Sequence, residues 1–361
     1  QAEGSLQHLE EAVVELAGTK SPFLGEAELM LGLARCMAGH KDLAVRALET
    51  RIGEVDSSEN YLLSRLIASL AFIYLVCGDL HLVPVEAQRL QRVSKKHNMG
   101  LAEAWSYYFL ACTHLYTGEL EAASLHFAHA VEMRYVLEPR AAVDALAGLA
   151  LTQQFMRLGD EAAESCRRLQ EFARELHDRN YLSVAQSCQA RLALLRGDLN
   201  SAVEWGWSVD ESPVLAELFS WLEAPSITQA RVLIAAGSEE SLSSATMLLQ
   251  SIRELCEECR FTCQVIDVAV LQSLVLKKLG RADEALTVLE EAVSLAGPGG
   301  WIRPFIEAGP KMADLLKRLQ KQNVAVDYIE KILAAFENDK QIVVPVGKPT
   351  TLPSLGTPTP H

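Results

Sequence analysis

A glycine that returns about every 40 residues constrains this chain more than any other feature. Gly39, Gly78, Gly118, Gly159, Gly197, Gly237 and Gly280 are separated by 39, 40, 41, 38, 40 and 43 residues. Each lies between two stretches of helical apolar spacing, and glycine ends a helix in a left-handed turn without a Cβ clash. The clearest unit is Leu101 to Met133, LAEAWSYYFLACTHLYTGELEAASLHFAHAVEM. Trp105, Tyr108, Ala111, Cys112 and Leu115 mark the face of its first helix. After Gly118, Ala122, Ala123 and Ala130 allow a second helix to approach closely, with Leu125 and Phe127 as apolar bulk. Five residues beyond the glycines stand Ala44, Val83, Ala123, Glu164, Ala202, Leu242 and Ala285, small or modest at most places. Two helices in a fixed period of this length describe an array in which each hairpin buries its apolar face against its neighbours.

The units resemble tetratricopeptide repeats. The expected fold is all-α, a right-handed superhelical α-solenoid over residues 1–339, with a period of about 40 residues. A short helix at Ser5 to Ala17 precedes hairpins at Glu26 to Gly53, Asn60 to His97, Leu101 to Tyr135, Arg140 to Asp178 and Asn180 to Ser208. Asp210 to Pro225, bracketed by two prolines, is expected to be irregular around a short helix containing Trp221. Hairpins at Ser226 to Arg260 and Thr262 to Ala296 restore the period, and closing helices follow at Pro310 to Gln320 and Val326 to Phe336. Residues 340–361 form an aperiodic, proline-rich segment of the kind that links domains. A start at Gln1 rather than Met reads as a piece of a longer protein.

A solenoid core grows along one dimension, so 361 residues fit one elongated domain. The net charge of −14 argues against binding nucleic acid or an anionic membrane surface through this chain itself. Local basic clusters, Arg89, Arg92, Lys95 and Lys96, and Lys311, Lys317, Arg318 and Lys321, fall near helix C-termini, where cations complement the dipole. The eight cysteines sit mostly at apolar helical positions, as free thiols do in a reducing cytoplasm. No leader or membrane-spanning run is legible.

Chemical motifs are few. Cys256, Cys259 and Cys263 have spacing that tempts a zinc reading, but a second ligand pair is missing and one buried helix face has the same spacing. His126, His129 and Glu132 share a helix face and fail the same ligand count. There is no phosphate loop, no His-Glu-x-x-His and no nucleophile elbow, so a catalytic centre is not expected, and no cofactor.

The remaining functional surface is the concave groove lined by first helices. The position six before each glycine gives Leu33, Phe72, Cys112, Gln153, Arg191, Arg231 and Leu274, polar in the middle. Neighbours one turn away add Trp105, Tyr108, Arg157 and Ser187. The candidate ligand site is therefore Trp105, Tyr108, Gln153, Arg157, Ser187, Arg191 and Arg231. Aromatic faces with a few placed polar groups suit a small ligand. The competing reading pairs Arg191 and Arg231 with acidic neighbours across repeats.

GGWIRPFIEAGPKMADLLKRL, from Gly299 to Leu319, resembles the segment that ends the helical-repeat region of LuxR-type, ATP-dependent regulators related to the maltose activator MalT. Gly300, Trp301, Arg303, Phe305, Glu307, Gly309, Met312, Leu315 and Leu316 carry that resemblance. It implies a cytoplasmic signalling protein with ATP on an upstream module and a helix-turn-helix DNA reader downstream, neither within these residues. The repeat region would then sense a small-molecule inducer and support activation or self-association. The alternative is a scaffold that binds a peptide or partner protein in the groove.

Overall fold

The structure is a computed structural model that describes residues 2–17, 21, 23–56, 58–209 and 222–340. Those residues form eighteen helices and no strand. After α1 (Ala2–Ala17) the helices pair as α2 (Leu24–Met37) with α3 (Lys41–Glu54), α4 (Asn60–Val76) with α5 (Val83–His97), and α6 (Gly100–Thr117) with α7 (Leu120–Glu132). The pairing continues with α8 (Pro139–Phe155) and α9 (Gly159–Glu175), and α10 (Arg179–Arg196) and α11 (Leu199–Ser208). The last two hairpins are α12 (Pro225–Ala236) with α13 (Glu239–Glu258), and α14 (Thr262–Lys278) with α15 (Ala282–Ala296). Three closing helices follow, α16 (Arg303–Glu307), α17 (Pro310–Gln320) and α18 (Val326–Lys340). The expected irregular stretch around Trp221 and the proline-rich segment from residue 341 lie outside the described residues.

Six of the seven periodic glycines adopt the left-handed conformation, with φ between 72° and 88°. Gly159 does not; it begins α9, and Arg157, at φ 65°, makes the left-handed turn of the fourth hairpin. Counted from Arg157, the fifth residue on is Ala162 rather than Glu164, and it is fully buried like Ala44, Ala123, Ala202 and Ala285. The same shift moves the groove-row position from Gln153 to the buried Leu151.

First helices are buried on most sides: in α4 every residue from Ser64 to Val76 is buried, and in α8 all from Ala141 to Thr152. Second helices are amphipathic, α9 burying only Ala162, Ser165, Cys166, Leu169, Phe172 and Ala173. Gly148 shows why small residues recur, since a Cβ there would come within 2.6 Å of both Phe127 and Leu222.

The array closes on itself. The turn at Gly78 lies against Thr262, and the turn at Gly39 against the Arg260 guanidinium, so early hairpins meet the joint between α13 and α14. The segment from Gly299 to Gly309 completes this closure as a clasp. Trp301 is fully buried, donates its indole N–H to the Gly78 carbonyl at 2.9 Å, and packs on the Tyr116 ring at 4.3 Å. The Ile302 amide donates to the Tyr116 carbonyl at 2.7 Å. From the other side, the Tyr328 hydroxyl of α18 donates to the Trp301 carbonyl. Trp301, one of the residues that carry the family resemblance, is thus also the one that closes the array.

Candidate functional site

The concave face divides into two parts of different chemistry. The first is a cavity of about 520 Å³ walled by α2, α4, α6, the start of α8 and the start of α10. Its apolar lining comes from Leu29, Met30, Leu33, Ala68, Phe72, Trp105, Phe109, Tyr181 and Val184. Helical spacing puts these side chains together: Leu29 and Leu33 are one turn apart on α2, as are Ala68 and Phe72 on α4 and Trp105 and Phe109 on α6. The Trp105 and Phe109 rings stack at 5.2 Å. Across the cavity Arg140 lies over the Phe72 ring at 5.7 Å, and burial with the nearby Asp178 holds the Tyr181 phenol above its usual range and therefore neutral.

Arg65 is the charged centre of this wall. It donates to Glu26 at 2.6 Å and to Glu138 at 3.1 Å, and Glu138 also accepts the Trp105 indole N–H. Burial opposes the guanidinium charge, but the two carboxylates outweigh it and hold Arg65 above the ordinary arginine range. Three hairpins are tied by one residue.

The second part surrounds Glu307 in the clasp. Arg191 donates to it from Nε at 2.7 Å and from Nη2 at 2.6 Å, a bidentate pair, and Arg231 approaches it at 3.8 Å. Arg191 also binds the Glu223 carboxylate at 2.9 Å and the Leu222 carbonyl at 2.6 Å, while Arg231 reaches Asp267 at 3.3 Å. Ser187 and Thr228 donate to Glu223. Burial alone would raise the Glu307 pKa; Arg191, then Arg231 and Arg303, reverse this and hold it at about 2. Asp267 keeps the opposite sign, raised by burial despite Arg231 and Arg191. Arg303 itself lies over the Phe155 ring at 4.6 Å and reaches Asp339 at 3.4 Å.

The seven residues expected to share a ligand site are therefore dispersed. Trp105 lines the cavity. Tyr108 is fully buried behind it and donates to Asp144 at 2.6 Å, which also accepts the Leu222 amide at 3.1 Å. Gln153 accepts from Ser165, and Arg157 occupies an exposed turn. Ser187, Arg191 and Arg231 do converge, as the spacing predicts, but on the protein's own Glu223 and Glu307. That is the competing reading, in which Arg191 and Arg231 pair with acidic neighbours across repeats.

The other candidates resolve into packing. Cys256, Cys259 and Cys263 are buried at the α13–α14 joint, and burial pushes the Cys256 thiol up to about 12. His126 stacks with His114 at 5.3 Å and with Tyr107 at 5.9 Å, and burial beside two other imidazoles lowers its pKa. Among the described residues no group of three His, Cys, Asp or Glu side chains could hold a metal ion, and no helix is long and apolar enough to cross a membrane.

The family model of the MalT-like TPR region matches residues 1–322. No curated protein matches the chain.

Proposed function

Since the chain belongs to the MalT-like TPR family, we propose that it is the non-catalytic sensing and protein-interaction part of a transcriptional regulator. A small inducer enters the concave cavity, and its occupancy is relayed to α17 and α18 through the clasp. Nucleotide and DNA are handled by other modules of the regulator. One observation carries this reading. The helices α4 and α6 that present Phe72 and Trp105 to the cavity run on to Gly78 and Tyr116, the two carbonyls that hold Trp301 and Ile302. A ligand acts here only by binding one curvature of the array better than another. Small rotations between hairpins add along a solenoid, so the far end is where they are felt.

The test is a thermal-shift screen of chemically diverse small molecules, followed by hydrogen exchange with each hit. Met30 is half-exposed at the cavity mouth, so Met30→Arg obstructs the cavity while leaving the core intact. Hits that lose binding in Met30→Arg and alter exchange at Ile302 support the proposal. Hits indifferent to Met30→Arg, or binding by peptides alone, overturn it in favour of a scaffold.

A further inference from the structure

We propose that the cavity between α2, α4, α6 and α10 takes an uncharged, largely apolar ring compound rather than a sugar or an ion. This rests on the reading of the cavity as the ligand site and names the chemistry of its occupant. Arg65, one of two arginines among the described lining residues, has both terminal nitrogens committed to Glu26 and Glu138, at 2.6 and 3.1 Å. Glu138 is further engaged by the Trp105 indole N–H, so that donor too is withdrawn from a ligand. Ser69 turns its hydroxyl back to the Arg65 carbonyl at 2.8 Å, and Asp178 accepts the Asn180 amide at 2.8 Å as the cap of α10. Arg140 is engaged over Phe72.

With these pairs made, most of the surface facing the cavity is the rings of Phe72, Trp105, Phe109 and Tyr181 and the aliphatic side chains between them, with the Asn180 amide and the Tyr181 hydroxyl as polar points. A sugar needs a partner for each buried hydroxyl, and an ion needs an opposite charge that is not already neutralised. The polar points on this wall, at Arg140, Asn180 and Tyr181, are too few to partner every hydroxyl of a sugar, and Arg65, Glu26 and Glu138 already neutralise one another. An apolar ring compound asks only for removal from water and for π faces at offset or edge geometry, both of which this wall offers. At about 520 Å³ the cavity holds a molecule of two or three fused or linked rings.

The test uses the whole chain with two probes, the neutral aromatic dye N-phenyl-1-naphthylamine and the neutral trisaccharide maltotriose. Tyr181 is half-buried and Met30 half-exposed, so Tyr181→Ala and Met30→Arg both leave the fold in place. The expected result is one dye bound per chain, at least tenfold weaker in each variant, with no response to maltotriose. Binding of maltotriose lost in Tyr181→Ala, without dye binding, overturns the ligand class but keeps the cavity as the ligand site. Dye binding unchanged in both variants, or no binding of either probe, overturns the class and the site together.

Discussion

Replacing Glu307 by Gln tests whether the clasp is held by charge. The carboxylate is buried between Arg191 and Arg231, and its pKa falls from 4.5 to about 2. That depression corresponds to roughly 3 kcal/mol of preference for the ionised form in the folded state. The independent expectation, that removing one member of a buried ion pair costs about 3–5 kcal/mol, agrees at its lower end. The lower end is appropriate because Arg191 keeps Glu223 and Arg231 keeps Asp267. The loss should be local, since a repeat array opens in parts. Amide exchange at Ile302, whose N–H is bonded to Tyr116, should quicken by about 100-fold in Glu307→Gln, with exchange in α4 unchanged. Acid should do the same in the unaltered chain. The contribution of a carboxylate depressed on folding is complete above its unfolded pKa near 4.5 and is lost as pH falls towards 2. Asp267, raised by burial, titrates with the opposite sign and cannot produce this loss. Ile302 exchange that is unchanged in Glu307→Gln would refute an electrostatic clasp and leave it to the packing and hydrogen bonds of Trp301 and Ile302.

Three further substitutions have defined outcomes. Gly299→Ala would place a Cβ 2.3 Å from the Gly78 carbonyl oxygen and 2.5 Å from the Trp301 indole nitrogen, forcing apart the two partners of the Trp301 bond; a local cost of about 1–3 kcal/mol, read by urea titration of the Trp301 region, is expected. Arg157→Gly relieves a left-handed arginine at φ 65° and should stabilise the fourth hairpin by up to about 1 kcal/mol while leaving ligand binding unaltered; a loss of binding would restore Arg157 to the site. Tyr108→Phe strips the buried Asp144 of one hydrogen bond and should lower stability by about 1–3 kcal/mol in thermal melts, without changing affinity for a cavity ligand.

Helix order was legible because apolar residues recur at helical spacing in nearly every stretch, and no long-range contact is needed to see it. The fourth hairpin was the exception. Gly159 sits two residues from the true turn and mimics it, and a left-handed arginine is rare enough that glycine is the natural choice. Ala162 carried the correction, since counting back five residues from a small, buried position leads to Arg157. The cavity was missed for a different reason. Part of its wall comes from helix starts, Glu138, Arg140, Asp178 and Asn180, whereas the groove row sampled positions near helix ends and reached the cavity only at Leu33 and Phe72. The pairing of Trp301 with Gly78 spans 223 residues and has no local pattern at either partner.

The two parts of the concave face set a limit on how strongly one can act on the other. A ligand that binds only one clasp state, at a hundredfold excess over its Kd, shifts that equilibrium by about 2.7 kcal/mol. The Glu307 contacts alone represent roughly 3 kcal/mol, and a full reversal from 1:99 to 99:1 takes about 5.5. Occupancy of the cavity at that excess therefore cannot by itself overcome the Glu307 contacts together with the Trp301 and Ile302 contacts, and the response of Ile302 exchange should be graded and no larger than about 100-fold. In Glu307→Gln, where the charge hold is gone, the same ligand should quicken Ile302 exchange further if it favours the open state, and should restore protection if it favours the closed one. A ligand whose binding leaves Ile302 exchange untouched in both proteins would separate the cavity from the clasp and end the relay proposed between them.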